Sequence, residues 1–298
     1  MKSTYDSLLP KAPIFSEELV RQCKQSKDFR PILFEWYKFV GIFCNVVACI
    51  SPESPALREI PPTHYAVLVG LLNRCSRLIL SNVRLSSTRR YGETTRLLDR
   101  CISETAVKVQ WLCYKKNADS FVRYLADGLK KDLILKKQID VNIENRNGNS
   151  LVIEQRMLNS IKECLELSGL SEQDVNDAKG LPDFARMCAD LGFGDLFYTA
   201  IQRMGSHAVH GTWSDLIFNY LRHEDGQVLY PRDHDIDTQD VQFIGVIHLV
   251  LGAMKSFLNY IISDASEISE FISTIDSIDN KIIEIQDLAW ASDFSVTG

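Results

Sequence analysis

The chain has 298 residues, of which 45% are apolar and 24% are charged, with 33 basic against 39 acidic side chains. This length and apolar content suffice for one large domain or two ordinary ones, and they exclude a disordered tail protein and a polytopic membrane protein. Only 15 glycines and 9 prolines occur, and so few helix breakers favour long helices over a strand-and-turn fold.

Helical patterns follow one another through the first half of the chain. Apolar residues spaced three and four apart, or a proline at the first helical position, predict helices over 31–50, 64–80, about 88–116 and 120–139. An Asn-Gly turn then marks 143–150 as the clearest linker.

The second half continues in the same way. Helices are predicted over 151–169, 180–194 and 195–213, and a polar loop over 222–240. Residues 240–264 are apolar on every side, which predicts a central helix. The segment 264–298 has eight acidic residues and one lysine with apolar residues at helical spacing, which predicts a peripheral amphipathic helix.

These elements predict an all-α fold, a multi-helix bundle with long central helices. We expect residues 1–262 to form a single helical domain and 263–298 to form an appended acidic amphipathic C-terminal helix.

Charge is distributed unevenly along the chain. Residues 84–137 carry 13 basic and 6 acidic side chains, whereas residues 138–298 carry 10 and 26. A basic segment of this kind suits a nucleic-acid backbone. The asymmetry is equally typical of two parts of a fold that pack on each other, or of two solvated faces.

Neither the cysteines nor the apolar runs point to secretion or a membrane. The eight cysteines form no CxxC pair and no Cys-His cluster of zinc spacing, which predicts reduced, mostly buried thiols in a cytoplasmic protein. The N-terminus has no apolar signal core. The apolar runs 39–50 and 243–254 are each about twelve residues, shorter than the roughly 20 that a bilayer needs, and predict core helices.

The common motifs of nucleotide-binding proteins, zinc proteases and serine hydrolases are absent. What remains is a polar stripe of Arg203, Ser206, His207 and His210, whose offsets of three, four and seven residues place them on one helix face. Such a stripe lines a site, or it bridges neighbouring helices through buried hydrogen bonds.

A second polar pair, Arg100 and Glu104, lies four residues apart on one helix face. The simple interpretation is an intrahelical ion pair. Because the same face continues into apolar Val107 and Trp111, partial burial is expected, and buried charges need partners. The alternative is that Glu104 meets Arg203 or a histidine across a helix interface, which would also give these buried charges partners.

The run 97–112 resembles the Arg-x3-Glu helix of an uncharacterised bacterial helical family, domain of unknown function 5677. A second signature of that family, a tyrosine followed by Ser-x3-His, is matched by Tyr198, Ser206 and His210. The resemblance covers about 60–262.

The chain departs from this family pattern at two positions. Gln202 stands where a tyrosine is expected, and Gly205 where an apolar residue is expected. Both departures lie on one predicted helix, so they affect the expected local geometry of that helix.

The spacing from Arg203 to His210 also resembles the Arg-x4-6-His motif of the HEPN superfamily. These are small helical domains, many of them metal-independent ribonucleases of toxin and phage-defence systems. The resemblance implies a site shared across a homodimer that cleaves RNA without a cofactor or metal. His210 would act as general base on the 2′-hydroxyl and Arg203 would stabilise the scissile phosphate.

The remaining site residues complete this ribonuclease hypothesis. Ser206 and Glu104 would orient the catalytic groups, and Arg100 would supply a second cation. The expected substrate-binding residues are Tyr198, His207 and Arg96.

Three other interpretations stay open. The first is a non-enzymatic helical module that binds a partner protein or small ligand and in which the stripe is structural. The second is non-catalytic RNA or DNA binding through 84–137. The third, a zinc site of His207, His210 and Glu104, is the least expected.

Overall fold

The computed structural model describes residues 10–88, 90–224 and 228–290, and gives the backbone but not the side chains of 202–204, 223–224, 228 and 265–267. The described part of the chain is almost entirely helical. The predicted all-α fold is therefore confirmed.

Five of the first six helices lie where the sequence predicts them, although α3 and α5 each extend six residues beyond the predicted end. The short helix α1 precedes them. Their bounds are α1 Glu17–Ser26, α2 Arg30–Ala48, α3 Pro62–Ser86, α4 Gly92–Lys115, α5 Ala118–Asn145 and α6 Val152–Ser168. The predicted linker is a turn, in which Asn147 and Gly148 both take positive φ values of 57° and 83°. Asn and Gly tolerate this left-handed backbone best, which is why the helix pattern stops there.

The described part of the second half contains six more helices and one strand pair. Their bounds are α7 Glu172–Asp177, α8 Phe184–Asp190, α9 Asp195–His210, α10 Trp213–Asp215, α11 Asp240–Ile261 and α12 Ala265–Trp290, with a π-helical turn Leu216–Tyr220 after α10. The prediction that 222–240 is entirely loop is wrong. Strands β1 Leu221–Glu224 and β2 Val228–Pro231 pair antiparallel, with Arg222 opposite Tyr230.

Residue contacts divide the chain into two compact units. Of the described residues, one unit contains those of 10–61, 65–114 and 184–290, and the other contains Pro62–His64 and Lys115–Asp183. In this second unit α5 packs against α6 and α7, around a small core of Ala126, Leu129 and Val175.

The core of the larger unit is built on α11. This helix is buried on most of its faces, as its composition predicts, and it packs chiefly on α2. The ring of Phe243 lies 5.1 Å from that of Tyr37, edge to face. The acidic α12 packs on α11, where Asp279 accepts from His248 Nδ1 at 2.6 Å and Asp276 from Lys255 Nζ at 2.6 Å.

Among the described residues, three helices are long and apolar enough to cross a membrane by length and composition: α2, α3 and α11. Within the fold, 61%, 44% and 67% of their most apolar windows are buried. The two predicted core runs are mostly buried, although Ile42, Asn45 and Cys49 in the first run and Gly245 in the second are exposed. The helices that contain them have 19 and 22 residues, longer than the runs themselves.

All eight cysteines are free thiols, and five of them are buried. Burial raises the pKa of the Cys75 thiol to about 12 and that of Cys188 to about 11. These thiols stay protonated near neutral pH, so they pack as small apolar side chains rather than act as nucleophiles.

Candidate functional site

The start of α4 is fixed by a close backbone contact. Gly92 N donates to the carbonyl of Ile236 at 2.6 Å, and a Cβ at Gly92 would collide with the backbone of Asp237. Only glycine permits this approach. The contact sets the position of the helix that carries the Arg-x3-Glu pair.

Arg100 and Glu104 form the intrahelical pair that their spacing predicts. Arg100 Nε donates to Glu104 Oε1 at 3.0 Å, and the two side chains are 25% and 32% exposed. Val107 and Trp111 on the same face are buried. The expected partial burial is therefore present, and the described partner of Glu104 is its own helix neighbour.

The two signature helices, α4 and α9, meet at Gly205. A Cβ added there would lie 2.5 Å from both Cβ and Cδ of Arg100. The family pattern predicts an apolar residue at this position, but the side-chain stem of Arg100 occupies that space. The glycine is thus the residue that lets α9 approach α4.

The polar stripe of α9 runs toward the exposed end of the helix. Ser206 and His207 are partly buried, and His210 is exposed. His207 Nδ1 lies 2.6 Å from Thr212 Oγ1, just beyond Gly211, which ends the helix with a positive φ of 54°. The side chain of Arg203 lies outside the described part of the structure.

Tyr198 lies on a different side of α9 from the stripe. Its ring centroid is 6.0 Å from that of Phe184 on α8. The tyrosine therefore packs on the preceding helix. It does not lie on the face of α9 that carries His210, so the structure does not bring these two predicted site residues together.

A cavity of about 180 Å³ lies between α4, α9 and α11. The face of α4 that lines it carries Arg96, Asp99, Arg100 and Ser103. These residues follow the offsets three, four and seven of one helix stripe. Two of the predicted site residues, Arg96 and Arg100, therefore share one cavity.

The residues of α9 that line this cavity include Phe197, Ile201 and Gly205, whereas Ser206 and His210 do not. Each helical residue advances by about 100° around the axis. Ser206 and His210 accordingly point away from the side that faces the cavity. The structure thus places the predicted residues in two groups, the arginines of α4 at the cavity and the Ser/His stripe outside it.

Asp99 is the cavity residue that sequence reasoning missed. Its carboxyl accepts from Asn82 Nδ2 and from Gln242 Nε2, each at 2.7 Å. Burial raises the pKa of Asp99 to about 7, although both amides, Arg96 and Tyr37 act to lower it. Desolvation of the charged form is the dominant cause. A titratable group that changes charge near neutral pH and lines a cavity is typical of functional sites.

A sequence signal for Asp99 does exist. It stands between the two arginines in the stripe that also contains Ser103. The stripe shows which side of α4 carries the polar groups. It does not show that α2, α3 and α11 enclose one of them.

Arg96 is held by a buried polar chain that leads away from the cavity. Its Nη1 donates to Asn219 Oδ1 at 3.1 Å, and Asn219 Nδ2 donates to Asp215 Oδ1 at 2.6 Å. Asp215 and Asn219 are both buried. The short π-helical turn places Asn219 between the cation and the carboxylate.

Among the described residues, no three His, Cys, Asp or Glu side chains come together as metal ligands. His207, His210 and Glu104 therefore do not assemble the zinc site that their residue types would allow.

Comparison with known proteins identifies the family and nothing finer. No curated protein and no solved structure matches the chain. A family model described as a family of unknown function, DUF5677, matches residues 65–228. This range includes both signature segments, from the start of α3 to the hairpin. The chain belongs to the DUF5677 family.

Proposed function

We propose that the chain is a HEPN-like, metal-independent ribonuclease that acts on RNA as a homodimer in the cytoplasm, in a bacterial phage-defence or toxin system. The observation that carries the proposal is the exposure of His210 at the end of α9. An imidazole in this position is accessible to a polynucleotide. It is seven residues from Arg203, the spacing of the Arg-x4-6-His motif.

The chemistry assigned to this segment is general acid–base catalysis. His210 takes the proton of a 2′-hydroxyl, because the free nitrogen of a neutral imidazole accepts a proton. The 2′-oxygen then attacks the adjacent phosphorus and the bond from phosphorus to the 5′-oxygen breaks. The 5′-oxygen takes a proton from solvent, and a 2′,3′-cyclic phosphate remains on the other fragment. Arg203 stabilises the negative charge that develops on the phosphate oxygens. Ser206 lies one helical turn before His210 and orients it.

Exposed aromatic side chains next to His210 support an RNA substrate. Trp213, Phe218 and Tyr220 follow the histidine directly and are 61%, 69% and 46% exposed. Unpaired bases stack on such side chains, each stack contributing about 1–3 kcal/mol. The basic segment 84–137 supplies the complementary charge for the RNA backbone.

A second candidate is a non-enzymatic interaction module in which the polar stripe is structural. It is favoured by the internal hydrogen bonds of two proposed site residues, His207 to Thr212 and Arg100 to Glu104. The exposed aromatic residues then form part of a surface for a protein partner.

The test is expression of the wild-type chain beside His210→Ala and Arg203→Ala at matched soluble levels, with growth recorded and total RNA run on a gel. The purified proteins are incubated with the same RNA. The matched control is His234→Ala, because His234 is an exposed histidine outside α9. We expect growth arrest and RNA fragments for wild type and His234→Ala, and neither for the other two variants.

Intact RNA with the purified wild-type protein, together with normal growth, would contradict the ribonuclease proposal. A fall in soluble yield of both α9 variants with the RNA intact throughout would favour the interaction module.

A further inference from the structure

The cavity between α4, α9 and α11 is accessible from solvent. Gly245 and Val241 of α11 line it and are exposed, and a Cβ built on Gly245 would meet no atom within 4 Å. On α9, which faces this part of α11, the small side chain of Ala200 leaves the space between the two helices open. The cavity therefore opens along α11 and is large enough, at about 180 Å³, for a molecule of one or two rings.

The walls of this cavity are apolar. Phe197 and Ile201 on α9 face Val246 and Leu249 on α11, and the surface that they present to the cavity is almost wholly carbon. The arginines of α4 contribute their methylene stems, because their guanidinium groups bond elsewhere, Arg96 to Asn219 and Arg100 to Glu104. A ligand that fills this space is therefore mainly apolar.

Polar side chains also border the cavity, among them Ser103, Gln242 and Asp99, and Asp99 is the carboxylate of this group. Asp99 Oδ1 accepts from Asn82 and Oδ2 accepts from Gln242. The Tyr37 hydroxyl is a third hydrogen-bond partner of this carboxyl. A carboxylate has about four lone-pair sites, so one site remains to accept a further hydrogen bond. A ligand with an N–H or O–H at its edge would supply it.

We propose that this cavity binds a small planar aromatic molecule that carries one N–H or O–H donor, with Asp99 as the acceptor and Phe197 as an aromatic wall. The inference is independent of the ribonuclease proposal, because neither His210 nor Arg203 enters it.

Such binding depends on pH with a defined sign. The donor bonds to the ionised carboxylate, so binding favours loss of the Asp99 proton, and affinity rises as the pH passes through the pKa of about 7. The groups that face Asp99 are Arg96 on its own helix, Tyr37 on α2 and the neutral amides of Asn82 and Gln242. Tyr37 stays neutral here, because burial raises its pKa well above the usual value.

The test is calorimetric titration of the full chain with indole, which has one N–H donor, and with 1-methylindole, which has none. Both are titrated at about pH 5.5 and about pH 8.5, on either side of the Asp99 pKa. We expect indole to bind roughly tenfold more tightly at the higher pH. At the higher pH, 1-methylindole should bind more weakly than indole. Its own affinity should change little between the two pH values.

Two variants locate the site. Gly245→Leu fills the cavity from an open position and should abolish indole binding, whereas Gly70→Leu is the matched control. Gly70 is an exposed glycine of α3, outside the cavity, with no atom within 4 Å of its Cβ position. Asp99→Asn should remove the pH dependence.

Three results would overturn the proposal: no indole binding at millimolar concentration, equal affinity for both probes at both pH values, or unchanged binding in Gly245→Leu. Growth and RNA assays do not enter these outcomes, so failure here is distinguishable from failure of the ribonuclease proposal.

Discussion

Gly205 on α9 lies directly against the side-chain stem of Arg100 on α4, so that a single added methyl group would lie 2.5 Å from Arg100 Cβ. This contact joins the two signature segments of the family. The pair also fixes the direction in which the neighbouring stripe residues point, because one helix residue determines the rotation of the whole helix.

The first prediction concerns this contact. Gly205→Ala should destabilise the fold by about 1–3 kcal/mol, since the β-carbon forces α9 away from a stem that cannot move without breaking the Arg100–Glu104 pair. Urea unfolding measures the change. The control is Gly245→Ala, where no atom lies within 4 Å of the new carbon; it should stabilise α11 by up to about 1 kcal/mol. Equal effects of both substitutions would contradict the packing interpretation.

Much of the fold could be predicted because its elements are long and periodic. The apolar residues of α11 identify a central helix whatever surrounds it, and the four-residue spacing of Arg100 and Glu104 identifies their pair. The β-hairpin was missed for the opposite reason. Its strands have four residues each, and so short a run in a polar segment shows too little alternation to distinguish it from loop.

The candidate site was predictable only where one helix contains it. Arg96 and Arg100 were identified from their segment, but Asp99 has its role through Asn82 on α3 and Gln242 on α11, far apart in the sequence. The pKa of a carboxyl depends on burial by such distant elements. The sequence alone shows that Asp99 belongs to the polar stripe of α4, but it does not show that the carboxyl is buried.

The second prediction concerns the pH dependence of stability. The pKa of Asp99 is about 7 in the folded state, above the roughly 3.9 of an unfolded chain. Between these values the folded state binds more protons than the unfolded state, so the free energy of unfolding falls as pH rises. The stabilisation from the protonated form is full below the unfolded value and is lost as pH rises through about 7.

Urea unfolding at about pH 5 and about pH 8 checks this. We expect wild type to lose about 1–3 kcal/mol more over this range than Asp99→Asn, because asparagine cannot ionise. The control is Glu163→Gln, because Glu163 is an exposed carboxyl on α6. This variant should keep the pH dependence of the wild type, and a loss of that dependence here as well would show that Asp99 is not the group responsible.

The third prediction concerns the buried chain from Arg96 through Asn219 to Asp215. Asn219→Leu should cost about 1–3 kcal/mol, because it leaves the carboxylate of Asp215, which is 5% exposed, without its amide donor. Thermal and urea unfolding measure the loss. Phe218→Leu, one residue earlier and 69% exposed, should stay within about 0.5 kcal/mol of wild type. A similarly small change in Asn219→Leu would show that Asp215 has other donors.

The fourth prediction separates structure from chemistry in the α9 stripe. His207 Nδ1 and Thr212 Oγ1 are 2.6 Å apart across the left-handed turn at Gly211. Thr212→Val keeps the shape of the side chain and removes its hydroxyl, so it should lower stability by about 0.5–1.5 kcal/mol. Thr212→Ser, which keeps the hydroxyl, should lose less.

RNA cleavage by these variants then decides what the stripe does. If His210 is the proton-transfer residue, Thr212→Val cleaves RNA at close to the wild-type rate below its unfolding midpoint, while His210→Ala loses cleavage without losing stability, because His210 is exposed. If the stripe is structural, neither variant nor the wild type cleaves RNA, and His210→Ala lowers stability as Thr212→Val does. Measuring both RNA cleavage and stability for the two variants therefore distinguishes a catalytic His210 from a structural one.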